Sequence, residues 1–209
     1  MNKVDNIHEE NGHSMIEMLG VLAIIGILSV GGIAGYSKAM MKIKINKTID
    51  QITQISQNIR VFFHNQKSYY YVGWSTINKN LFEKAHLLPD GMKFNEDGSL
   101  QHSFGGALAA AWAEKEKYSD YKAFSITIED IPEEACIAIA SHDWSSASGL
   151  FAMGINSYNR NQYVGCTGVI GTSMATACSG GTKVSIPMPI NIATNACLSG
   201  SNNIWFKFY

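Results

Sequence analysis

The chain has 209 residues, of which 16% are charged, well under the usual quarter or so, and its formal net charge is -1. That length holds one moderate globular domain with a segment to spare, and the near-zero charge gives no basic field that would make nucleic acid a specific partner. The second half is rich in Gly, Ser, Thr, Ala and Asn and poor in charge, a composition common in exported, strand-rich domains.

The first twelve residues, MNKVDNIHEENG, are hydrophilic, and Asp5, Glu9 and Glu10 outnumber Lys3. From Met18 to Ser37 there follow twenty residues without a charge. A helix of that length spans about 30 Å, the thickness of a bilayer core, and a soluble core helix is rarely apolar all round. An ordinary secretory leader has its cleavage site after the apolar stretch. Here the small residue suited to cleavage, Gly12, comes before it, so cutting there leaves the apolar helix on the mature chain. Glu17 stands at the head of that run, five places into a mature chain that begins at His13. A carboxylate beside hydrocarbon is costly and calls for the headgroup layer or for a partner.

Gly12, His13-Ser14-Met15-Ile16-Glu17 and the apolar MLGVLAIIGIL together resemble the processing site of type IV prepilins, from Gly12 to about Met40. The resemblance implies cleavage after Gly12 by a membrane prepilin peptidase and N-methylation of His13. It also implies a pilus assembly platform and polymerisation with other copies of the chain, Glu17 meeting a neighbour's new N-terminus and setting the register. Position 13 departs from the family, which more often has Phe or Met there, and no basic residue stands beside Gly12. Lys38, Lys42, Lys44 and Lys47 follow the span and by the positive-inside rule would put the rest of the chain in the cytoplasm. The four cysteines and the leader type favour the opposite topology, a single pass through the bacterial inner membrane with the head in the periplasm, then an extracellular filament.

Past the span, Ile45, Ile49, Ile52, Ile55, Ile59 and Phe62 recur at spacings of three and four with polar residues between them. No proline interrupts 13–63, so one helix of about 75 Å is expected, a polymerisation stem over 13–40 and an amphipathic half over 41–63. Gly20, Gly26, Gly31, Gly32 and Gly35 have two readings in it: close approach of neighbouring helices, or a place where the helix unwinds.

Residues 64–209 form the expected head. Tyr69 to Trp74 is an aromatic stretch suited to sheet or interface packing. Ser75 could cap a helix through Leu88. Residues 92–104 suggest a hairpin turning at Asn95-Glu96-Asp97-Gly98. Gly106 to Glu114 is open between helix and strand. Phe124 to Glu129 alternates as a strand, Pro132 opens a helix carrying Cys136, and further strands fit 150–155, 162–170, 182–190 and 203–209. The fold class is α+β, a long helix with an antiparallel sheet laid on it.

Cys136, Cys166, Cys178 and Cys197 form no C-x-x-C pair, and an even count at wide spacing in an exported chain favours two disulfides, with three pairings open. The stretches Ile131 to Trp144 and Ala196 to Tyr209 resemble the type IVb pilin subclass. That resemblance implies Cys136–Cys197, bounding a region 136–197, and leaves Cys166–Cys178 as a local bridge.

Catalysis finds little support. Gly171-Thr172-Ser173-Met174-Ala175 is similar to the stretch around the subtilisin nucleophile but lacks its Pro-His continuation and any upstream Asp or His motif. Ser119-x-x-Lys122 lacks a Lys-Thr-Gly partner. The histidines show no metal-ligand spacing, and no cofactor motif is present. The expectation is a structural subunit, not an enzyme, of a type IV pilus. A secretion-system pseudopilin and a monomeric membrane-anchored binding domain are the alternatives.

Overall fold

A computed structural model describes residues 15–73, 77–113, 121–156, 163–166 and 182–209. The first helix, α1, is Met15–Phe63. Its early part belongs to one compact unit that ends at Lys42, and the rest belongs to a second unit, Ile43–Tyr209.

In the second unit α1 buries Ile45, Thr48, Ile49, Ile52, Ile55, Ser56, Ile59 and Phe63. This is the expected stripe with one correction: Phe63 closes it, and Phe62 is exposed. The helical period decides between them, because Phe63 lies five whole turns beyond Ile45 and Phe62 falls about 100° short. Ile52, Ile55 and Ile59 are fully buried, each worth about 1.5–3 kcal/mol. The helix is pinned near its C-terminal end: Asn58 Nδ2 donates to the Leu87 carbonyl at 3.0 Å and Arg60 Nη1 to the Ser148 carbonyl at 2.6 Å. Phe63 packs on Tyr69, whose ring meets Phe124 of the sheet. Burial raises the Tyr69 hydroxyl pKa, and the Arg60 charge opposes that rise.

After a 3-10 turn at Tyr70–Val72 comes a short helix, α2 (Lys79–Lys84). Its cap is Asn78, whose side chain accepts the Leu81 N–H; it begins later than expected, and Ser75 lies outside the described residues. The turn at 95–98 forms, with Asn95 N–H donating to Ser99 O and Gly98 N–H to Asn95 O. The residues before it are not a strand, so the expected hairpin is displaced. The strands that pair are β1 (Leu100–Gln101) and β2 (Ala107–Ala113), around a turn at 102–106. Alanine-rich β2 takes the strand alternative because a ladder partner waits on β3 (Ala123–Pro132).

α3 (Glu133–Ala140) follows with Pro132 as its N-cap, one place earlier than a first-turn proline, and Glu133 and Glu134 at the positive helix end. Then come β4 (Leu150–Ile155), β5 (Tyr163–Cys166), β6 (Thr182–Val184), α4 (Ile190–Ala196) and β7 (Ser201–Phe208). The strand expected over 182–190 is therefore only its first part. Pro187 and Pro189 cannot donate to a ladder, and Pro189 instead caps α4.

Among the described residues, seven strands form one sheet in the order β1-β2-β3-β7-β4-β5-β6, antiparallel except for β5 with β6. Register aligns Leu108 with Ile128 and Ile204, and Ala110 with Ile126 and Phe206, giving one continuous apolar face. On the opposite face Thr127 aligns with Trp205 and Gly154. The Trp205 indole lies directly on Gly154, leaving no room for a Cβ there.

Candidate assembly site and the disulfide-closed region

The first unit presents apolar side chains at every azimuth of its helix. Met15, Ile16, Leu19, Leu22, Ile25 and Leu28 are each more than half exposed, and so are Val21, Ile24, Ile27 and Val30. Consecutive exposed pairs lie about 100° apart, so no single stripe accounts for them. A surface of this kind is stable in lipid or against other helices, not in water. Its polar atoms are suited to that setting. Ser29 Oγ donates to the Ile25 carbonyl at 2.7 Å and Ser37 Oγ to the Ile33 carbonyl at 3.0 Å, so both hydroxyls are satisfied within the helix. Gly20, Gly26, Gly31, Gly32 and Gly35 all lie within α1, and open space surrounds each. Glu17 sits exposed in the first helical turn, where the partial positive charge of the helix end favours a carboxylate. Gly12 and His13 lie outside the described residues.

In the second unit, Cys136 on α3 and Cys197 at the end of α4 are joined by a disulfide, with their Cα atoms 5.9 Å apart and a sequence separation of 61. Both are buried. The bond ties α3 to α4, and Met188 N–H donates to the Ala140 carbonyl beside it. Cys166 ends β5 and pairs in register with Ala152 of β4; Cys178, and with it the expected second bridge, lies outside the described residues.

One residue at this site was missed in the sequence. Asn202 is fully buried at the start of β7. Its Nδ2 donates toward the carbonyls of Ile131, Leu198 and Gly200, and its Oδ1 accepts the Leu198 N–H at 2.7 Å and Asn156 Nδ2 at 2.8 Å. A single amide thus holds the end of β3, the loop after Cys197 and the end of β4. Asn156 has a positive φ of 54° and exchanges further bonds with Asn203, accepting its N–H at 2.8 Å. The signal was present: Asn202 falls on the inward phase of the strand, with Ile204, Phe206 and Phe208. A polar residue on that phase must be paired.

β3 carries a bulge between Ile128 and Ile131, with Asp130 at a φ of 59°. Asn203 Oδ1 accepts the Asp130 N–H at 3.2 Å, and Ser201 Oγ donates to Asp130 Oδ1 at 2.7 Å. From the other side His102 contacts the Glu129 carbonyl. Gly106 sits so close to Glu129 and His102 that a Cβ has no place there.

The stretch 171–175 and Ser119 lie outside the described residues, and Lys122 is exposed. Among the described residues, no group of three His, Cys, Asp or Glu side chains could hold a metal ion.

Residues 42–191 match the protein family described as PilS N terminal. Two curated relatives, each named "Major structural subunit of bundle-forming pilus", come from Escherichia coli O111:H- and O127:H6. They are 23% and 22% identical over 186 residues, covering 85% of this chain and 92% of each relative. Among solved structures, the chain is similar to a type IVb pilin from Salmonella typhi (19% identity, TM-score 0.45, 74% of this chain and 93% of that one). It is also similar to TcpA, a type IV pilin from Vibrio cholerae El Tor (11% identity, TM-score 0.49, 79% and 99%). The family match spans most of the chain, from residue 42 within α1 to the start of α4. The chain belongs to the PilS N-terminal family and is a pilin.

Proposed function

We infer that this pilin is the structural subunit of a pilus, made as a precursor, cut after Gly12 by a prepilin peptidase and methylated at His13. Before assembly it crosses the bacterial inner membrane once, with its head in the periplasm. The assembly platform then moves it into an extracellular filament of identical copies. The observation that carries this reading is the apolar helix surface of the first unit, exposed on all sides and continuous in sequence with a disulfide-closed domain.

The physics of the transfer gives Glu17 its role. Lipid tails are as apolar as isoleucine, so leaving the bilayer for a bundle of like helices releases little hydrophobic free energy. Close packing and polar pairing supply the preference. The glycines allow close packing, and the Glu17 carboxylate meets the opposite charge of the α-amino group at a neighbour's His13, an attraction strengthened by the apolar setting.

The experiment is a pair of variants in cells, read by intact mass and by electron microscopy. Gly12→Leu keeps the uncut mass and forms no filaments. Glu17→Ala is cut, keeps its disulfide and a folded head, and forms few or no filaments. Normal filament numbers from Glu17→Ala would remove its register role, and an unchanged mature mass from Gly12→Leu would remove the cleavage site.

A further inference from the structure

His102 is a buried imidazole whose two nitrogens have opposite duties. It is 3% exposed. Nδ1 lies 3.2 Å from the Phe104 backbone nitrogen, which can only donate, so Nδ1 is the acceptor and carries no proton. Nε2 lies 2.6 Å from the Glu129 carbonyl oxygen, which can only accept, so Nε2 carries the hydrogen. One neutral tautomer therefore satisfies both partners, and no protonated ring can.

This ring closes the turn at 102–106. His102 N–H donates to the Gly106 carbonyl at 3.1 Å, and Gly105 N–H donates to the His102 carbonyl at 2.9 Å. The turn presents two residues to α1: Ser103 Oγ donates to Gln51 Oε1 at 3.3 Å, and the Lys44 ammonium stands 5.9 Å from the centre of the Phe104 ring. From β3 the Asp130 carboxylate acts on the imidazole and favours its charged form, while Glu129 offers only its carbonyl. From α1 the charged neighbour is Lys44, on the Phe104 side. β2 brings no charged residue.

We propose that the 102–106 turn is an acid-opened latch: a proton taken up from solvent at Nδ1 of His102 sets two N–H groups face to face, expels the Phe104 amide and frees the turn from Gln51 and Lys44 of α1. Burial, opposed by the Glu129 bond and Asp130, holds the imidazole below its ordinary range in the closed state. The closed turn thus binds fewer protons than the open one. Its stability is complete above the ordinary histidine range and falls as the pH drops below it.

The test follows the His102 ring and the Phe104 amide together, by NMR and hydrogen exchange, in the full chain in detergent micelles from about pH 7.5 to 4.5. In the neutral range the ring is the Nε2–H tautomer. Below the histidine range the protection of the Phe104 amide, corrected for intrinsic exchange, falls about tenfold per pH unit, as uptake of one proton requires. His102→Asn keeps an acceptor placed for the N–H two residues on and does not titrate, so its Phe104 protection stays level. The latch is refuted by a protonated His102 with Phe104 still protected, by equal acid loosening in His102→Asn, or by a ring that stays neutral until the whole head unfolds. If His102→Asn fails to fold, the paired titration of the unaltered chain decides alone.

Discussion

Replacing Asn202 by alanine tests whether one amide holds the C-terminal part of the head. The substitution removes a donor group shared among the Ile131, Leu198 and Gly200 carbonyls and an acceptor used by Leu198 N–H and Asn156 Nδ2. A buried group left without a partner costs about 1–3 kcal/mol. The Leu198 N–H loses this acceptor, while Asn156 Nδ2 keeps a 3.4 Å bond to the Ala196 carbonyl. The expected loss is about 1–3 kcal/mol. The assay is denaturant unfolding of the oxidised full chain in detergent, with Asn46→Ala, exposed on α1, as the control. A loss below about 1 kcal/mol, or one equal to the control, refutes the reasoning. Asn202→Asp gives an internal check, since it keeps the acceptors, loses the donors and buries a charge, and it should be no milder than alanine.

Two more outcomes follow from the same unit. Cys136→Ser together with Cys197→Ser opens a loop closed across a sequence separation of 61 and should cost about 4 kcal/mol by loop entropy, seen as a lower unfolding midpoint. Gly106→Ala places a Cβ against the Glu129 carbonyl and His102, and should cost at least about 2 kcal/mol, with raised hydrogen exchange at Ala107 and Leu108 as the local sign.

The parts of the fold legible in the sequence were those set by one period. The α1 stripe follows from isoleucines at helical spacing and β3 from a run with one clear phase, while β4, buried on both faces, fits as a short apolar run. Phe62 was mistaken for Phe63 because spacings of three and four are both helical locally, and only the phase over five turns separates them. β2 was undecidable because alanine serves helix and strand alike, and its ladder partner, β3, lies beyond a local window. α4 was hidden by Pro187 and Pro189, which argue against a central strand but not for a helix. The Cys136–Cys197 pairing came from resemblance, since spacing left three pairings open. Asn202 and His102 escaped because their importance lies in partners far along the chain, Ile131 and Asn156 for one, Glu129 for the other.

The place of β7 has a consequence for the order of events. It follows β4 in the chain, yet it stands between β3 and β4. Neither of those strands can complete its ladder until β7 has been made and delivered. A chain emerging residue by residue therefore holds the β7-facing edges of β3 and β4 unpaired from residue 155 until β7 arrives, and that one strand closes both edges in a single late step.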